Sequence, residues 1–248
     1  MAAMPASKRP HNTWGVTAGE RQAIVRQSGS IGLALIPFGV AFGVSCTRAG
    51  LTWVQALGFS SLVFTGGSQF AAVGVLGDGG GAAAAIGAGL LLSIRSLVYG
   101  LVTAPTLTGP FRSRALASHL MIDESVAVST AQDGQRARYV GYVAAGTTVF
   151  IAWNISTLIG ALAFSSSGDL IERWGLDATV PAAFAALLWP RLRHRDLRTV
   201  AILGGLIALV LIPVAPPGIP IVASALAVLV VLRPGRTGAA TSAQGAPR

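Results

Sequence analysis

The chain has 248 residues, of which 52% are hydrophobic and only 11% charged, with a net charge of +9 and a mean hydropathy of +0.65. Soluble domains carry about 25% charged residues, so the composition excludes an ordinary soluble globular protein. Cys46, the sole cysteine, excludes an intrachain disulfide and a thiolate metal centre, and a basic excess gathered at segment ends without interleaved aromatics argues against nucleic acid.

Residues 1–28 read as a polar, basic arm, with no apolar core before a cleavage site and hence no signal peptide. Apolar blocks follow at 30–46, 54–76, 82–103, 142–164, 176–189, 199–214 and 217–232. Backbone groups in lipid must bond within their own segment, so these blocks are helices. The expected fold is an all-α, polytopic integral membrane protein with seven to eight transmembrane helices. Several blocks fall short of the roughly 20 residues a straight crossing needs, which points to short or discontinuous helices. Residues 29–232 form one membrane domain, and 233–248, rich in Gly, Ala, Pro and Thr, read as a disordered tail.

Within the first block, Gly39-Val-Ala-Phe-Gly43 is a small-residue repeat, and Ser156-Thr-Leu-Ile-Gly160 is another in the fourth. Such faces let helices approach closely in lipid. The second block is interrupted by Thr65-Gly-Gly-Ser-Gln-Phe70. Gly66 and Gly67 weaken a helix there, and local unwinding would free backbone groups to hold a zwitterion. Ser68 and Gln69 add donors and acceptors, either for a ligand or for a neighbouring helix.

The third block carries Arg95 in an otherwise apolar or weakly polar run. A cation at mid-membrane costs roughly 2.5–3.5 kcal/mol, so such a residue faces protein, an aqueous path or a counter-charge. Tyr99 lies one turn further on the same face, as a weaker candidate or an interfacial anchor.

Topology asks for a further segment. The basic arm (Lys8, Arg9, Arg21, Arg26) and the basic loop 191–198 both belong on the cytoplasmic side. Seven crossings leave that loop outside, whereas an eighth at 115–131 returns it, with Arg136 and Arg138 inside and the acidic loop 169–177 outside. Arg112 and Arg114 then lie on the unfavourable side. The alternative keeps 115–131 as a surface helix and places the N-terminus outside.

If 115–131 crosses, Asp123 and Glu124 are carboxylates at membrane depth, with His119 on the face of Asp123. Helical neighbours point about 100° apart, so the two cannot share one partner. Asp123 or Glu124 is the natural counter-charge for Arg95, as a gate, substrate anchor or proton relay; a permanent structural ion pair is the other reading. Asn154 reads as interhelical glue. Gly77-Asp-Gly-Gly-Gly81 lacks the Lys-Ser/Thr of a phosphate-binding loop, and Gly66-Gly-Ser68 is not a nucleophile elbow. No catalytic, metal or cofactor site is expected, and transport, if any, is not driven by this chain's own ATP hydrolysis.

The pieces Ile36-Pro-Phe-Gly-Val-Ala-Phe-Gly43, Ser61-Leu-Val-Phe-Thr-Gly-Gly-Ser-Gln-Phe-Ala-Ala72, Leu91-Leu-Ser-Ile-Arg-Ser-Leu-Val-Tyr-Gly100, Leu120-Met-Ile-Asp-Glu-Ser125 and Val180-Pro-Ala-Ala-Phe-Ala-Ala-Leu-Leu188 resemble, in order and spacing, the AzlC-type branched-chain amino-acid permeases. The resemblance implies export of valine, leucine, isoleucine or related amino acids across a bacterial cytoplasmic membrane, with a small, separately encoded AzlD-type membrane partner. Ser93-Ile-Arg95-Ser96 departs from the family's Asn-x-Arg-His, which puts the exact substrate in question. A non-transporting membrane scaffold and a small-solute channel stand as the alternatives.

Overall fold

The structure, a computed structural model, describes residues 15–165, 185 and 188–230. The expected crossing at 176–189 falls almost wholly outside the described residues, as do the acidic loop 169–177, the tail 233–248 and the arm residues Lys8 and Arg9. The described residues are helical and contain no β-strand.

Two long helices form the spine. Helix α1, Ala18–Arg48, and α8, Gln135–Ser165, each run 31 residues, about 46 Å at 1.5 Å per residue. Each is long and apolar enough to cross a membrane. α1 starts at Ala18 rather than at 30 because a capping box closes its first turn. Thr17 N–H donates to Glu20 Oε2 at 2.8 Å, and Glu20 N–H to Thr17 Oγ1 at 3.3 Å. The start of α1 is also packed, with Ile24 clustered against Val128 and Ala145.

The spine is joined by the two small-residue repeats found in the sequence. A Cβ added to Gly43 would overlap the Thr157 carbonyl, one on Gly160 the Val40 carbonyl, and one on Gly39 the Ser156 hydroxyl. The helices therefore meet backbone to backbone, as small residues allow in lipid. Asn154 ties this spine to the next helix, accepting from Ser61 Oγ at 2.7 Å and donating to Phe150 O at 2.8 Å.

The segments between the long helices are broken. The block 54–76 divides into α2, Trp53–Leu62, and α3, Gly67–Gly77. Gly66 at the break has φ +67° and ψ −99°, a conformation open to glycine. The block 82–103 divides into α4, Ala82–Ser93, and α5, Arg95–Thr103, bent by 41°. No proline or glycine sits at this bend. Ser93 Oγ donates to Gly89 O at 2.9 Å, a back-bond that bends helices, and the following bonds close three residues apart. The bent pair forms a third candidate crossing.

A single helix over 115–131 is not formed. Instead there are α6, Phe111–Ser118, and α7, Asp123–Thr130, of eight residues each. Each spans about 12 Å, well short of a 30 Å hydrocarbon core. Ser125 Oγ causes the interruption: it accepts from Ile122 N–H at 3.0 Å and donates to Leu120 O at 2.7 Å. The turn docks on Gly146 of α8, where a Cβ would lie 2.7 Å from Leu120 Cβ. His119 is therefore in the turn, not on one helical face with Asp123, and its Nε2 meets Ser61 O at 2.8 Å.

After a 3₁₀ turn at Trp189–Arg193 come α9, Arg195–Leu211, and α10, Ile219–Ser224, continued as 3₁₀ to Val230.

Candidate functional site

The breaks converge on one cavity of about 330 Å³. Thr65, Gly66 and Gly67 reach it from the α2–α3 linker, Arg95 from the first residue of α5, and Asp123 and Glu124 from the first turn of α7. Leu35 and Phe38 of α1, Phe70 of α3 and Val149 and Trp153 of α8 supply an apolar wall. Phe70 and Trp153 are held in place by a ring cluster around Phe42, with centroids 5.3 and 6.1 Å away.

Arg95 links the broken segments. Its Nη1 donates to Asp123 Oδ2 at 2.6 Å, and its Nη2 to the Thr65 carbonyl at 2.9 Å. Both charged side chains are only part-buried, at 39% and 33% exposure. The bond therefore stands in reach of the cavity and is not sealed in a core. The unwinding at Gly66 explains the second contact. A helix would have engaged the Thr65 carbonyl, whereas here it is free to accept from Arg95. A Cβ on Gly67 would approach to 3.9 Å of Arg95 Nη2.

The expected pairing of Arg95 with the acidic dipeptide thus forms, but not through two crossing helices. It joins the N-termini of two half-helices. As the 100° offset requires, only Asp123 contacts Arg95. Glu124 nevertheless borders the same cavity, because the helix begins there and its first turn points into the space. Negative side chains in a first helical turn are also favoured by the helix dipole.

Ser68 and Gln69 take other positions. Gln69 is fully buried and spends its amide on the break itself. Its Oε1 accepts from Gly66 N–H at 3.1 Å, and its Nε2 donates to Phe59 O at 3.3 Å and Ser60 O at 3.4 Å. Ser68 is buried, and its hydroxyl lies 3.0 Å from that of Ser93, to which it can donate because the Ser93 proton goes to Gly89 O; this ties α3 to the bend of α4–α5. Neither lines the cavity, and neither does Tyr99, half-buried in α5, whose carbonyl accepts from Thr103 Oγ1 at 2.7 Å.

The apolar lining was not singled out in the sequence. Phe38, Phe70 and Trp153 look there like any core residue, and only the meeting of α1, α3 and α8 makes them a wall. Among the described residues no cluster of His, Cys, Asp and Glu suits a metal ion.

Residues 30–166 match the AzlC protein family. The chain is 30% identical over 198 residues to an uncharacterized membrane protein of Archaeoglobus fulgidus, covering 79% of this chain and 86% of that one. It is 28% identical over 200 residues to the inner membrane protein YgaZ of Escherichia coli K12, covering 74% of this chain and 79% of that one. No solved structure matches it.

Proposed function

The chain belongs to the AzlC family and is a membrane protein with a transport-related role, and on that footing we propose that it is a secondary transporter exporting branched-chain or related neutral amino acids. The observation that carries this reading is the Arg95–Asp123 bond at 2.6 Å in an apolar-walled cavity that Glu124 also borders. A zwitterion needs a cation for its carboxylate, an anion for its ammonium and an apolar wall for its side chain. Arg95 serves the first, Asp123 or Glu124 the second, and Phe38, Phe70 and Trp153 the third. Half-helices meeting at a ligand cavity are a recurring transporter device, because their ends can tilt without breaking packed cores.

In this reading the protein lies in a bacterial cytoplasmic membrane with its N-terminus and the 191–198 loop on the cytoplasmic side. It crosses seven to eight times, some crossings being broken pairs such as α2–α3 and α4–α5. A small AzlD-type membrane protein is the proposed partner. Counterflow of labelled valine in proteoliposomes, with and without that partner, is the test. Saturable exchange supports a carrier; no exchange in either preparation rejects it.

A further inference from the structure

Charge in the cavity is unevenly partnered. Asp123 is compensated by Arg95 at 2.6 Å, and the other terminal nitrogen of Arg95 is occupied by the Thr65 carbonyl at 2.9 Å. Glu124 is not. Beyond its own backbone N–H, its carboxylate makes no hydrogen bond or ion pair with any described residue. Among the described residues, the groups around the cavity offer it no second cation: α1 presents Leu35 and Phe38, α3 Phe70, and α8 Val149 and Trp153. A second group there also lacks a partner. Trp153, only 5% exposed, borders the cavity, and its buried indole N–H has no acceptor among the described residues. A half-buried carboxylate without a hydrogen-bond donor points to a cationic donor that a ligand brings to Glu124, and the Trp153 N–H can take an acceptor only from a ligand that also carries one, such as a zwitterion's carboxylate.

We propose that the two adjacent carboxylates divide the work: Glu124 is an ammonium subsite open in this conformation, whereas the carboxylate subsite at Arg95 is held shut by Asp123. The inference rests on the amino-acid reading of the site and deepens it. An alkylammonium seats against Glu124, with its apolar body on the Phe38–Phe70–Trp153 wall, whose ring faces also favour a cation. It binds without disturbing Arg95. A zwitterion binds the same way first, and its carboxylate then displaces Asp123 from Arg95, which releases the ends of α5 and α7 from each other. The ligand class of the closed state is therefore a primary amine with a small apolar body, and such an amine lacks the group that opens the pair.

Isobutylamine, which is valine without its carboxylate, is the probe. With the full-length protein in proteoliposomes it inhibits labelled-valine counterflow competitively, and labelled isobutylamine itself is not exchanged. Binding of isobutylamine to the purified protein weakens by about tenfold or more in Glu124→Gln, the loss of one charge-assisted contact. Binding is retained in Glu124→Asp, which keeps the charge. Equal isobutylamine affinity in wild type and Glu124→Gln overturns the subsite, as does valine binding without any isobutylamine binding; the second result leaves the transporter reading intact. Glu124-dependent isobutylamine binding with no valine exchange does the reverse. Exchange of isobutylamine at the rate of valine overturns the claim that Asp123 holds the site shut.

Discussion

Arg95 Nη1 lies 2.6 Å from Asp123 Oδ2, and this bond fastens the first residue of α5 to the first residue of α7. It does so at the two points where the chain stops being continuously helical. A half-exposed ion pair contributes little to stability, on the order of 1 kcal/mol or less. Its placement across two breaks gives it leverage over conformation that its energy alone would not.

Arg95→Ala is accordingly expected to abolish valine counterflow while leaving a folded protein whose melting temperature changes by only a few degrees. Arg95→Lys keeps the charge but loses the planar fork that reaches Asp123 and Thr65 together, so its counterflow should fall by at least about tenfold. Counterflow and a thermal melt on the same preparations check both. Normal exchange by Arg95→Ala removes Arg95 from the path.

Gln69 separates ligand binding from architecture. Three hydrogen bonds tie its buried amide to Gly66, Phe59 and Ser60. Gln69→Leu leaves those backbone groups unpaired, at roughly 1–3 kcal/mol for a buried group. The expected result is a clear loss of thermal stability with the valine KM of the surviving protein little changed. A raised KM at unchanged stability would instead make Gln69 a ligand-binding residue.

What was legible in the sequence follows from what is anomalous there. Arg95, Asp123 and Glu124 stand out because charge is costly in an apolar run, and the structure brings all three to one cavity. The Gly39–Gly43 and Ser156–Gly160 repeats stand out by their spacing, and they face each other across the spine. The break at 119–122 was not legible. His119-Leu-Met-Ile122 holds no glycine or proline and reads as helix. The interruption comes from the Ser125 hydroxyl capturing Ile122 N–H and from docking against Gly146 on a distant helix. Tertiary contacts decide such a point, and local propensity does not.

The spine gives the sharpest stability prediction. Gly43 and Gly160 sit where added Cβ atoms would strike backbone of the facing helix, not a side chain that can turn away. Gly43→Ala and Gly160→Ala should each cost about 1–3 kcal/mol or more, as overpacking does. Gly87, with nothing within 4 Å of its Cβ position, is the control, and Gly87→Ala should be neutral or slightly stabilising. Melting temperatures in detergent decide this. Equal stability of Gly43→Ala and Gly87→Ala would mean that α1 and α8 do not meet backbone to backbone at Gly43.

The topology of the α6–α7 region can be decided from its two ends. Neither eight-residue helix crosses alone, yet a broken pair can do so if its turn is shielded by protein. The turn is shielded here: Leu120 lies on Gly146, and Tyr142 Oη donates to Ala117 O at 2.9 Å. If the pair crosses, Arg112 and His194, both exposed, lie on opposite sides of the membrane. Cys46 is buried and contributes little background. An impermeant maleimide added to intact cells should therefore label Arg112→Cys and spare His194→Cys until the membrane is opened. Labelling of both from one side would make α6–α7 a surface or re-entrant element. Asp123 would then keep its bond to Arg95, but the pair would be reached from that surface and not from mid-membrane.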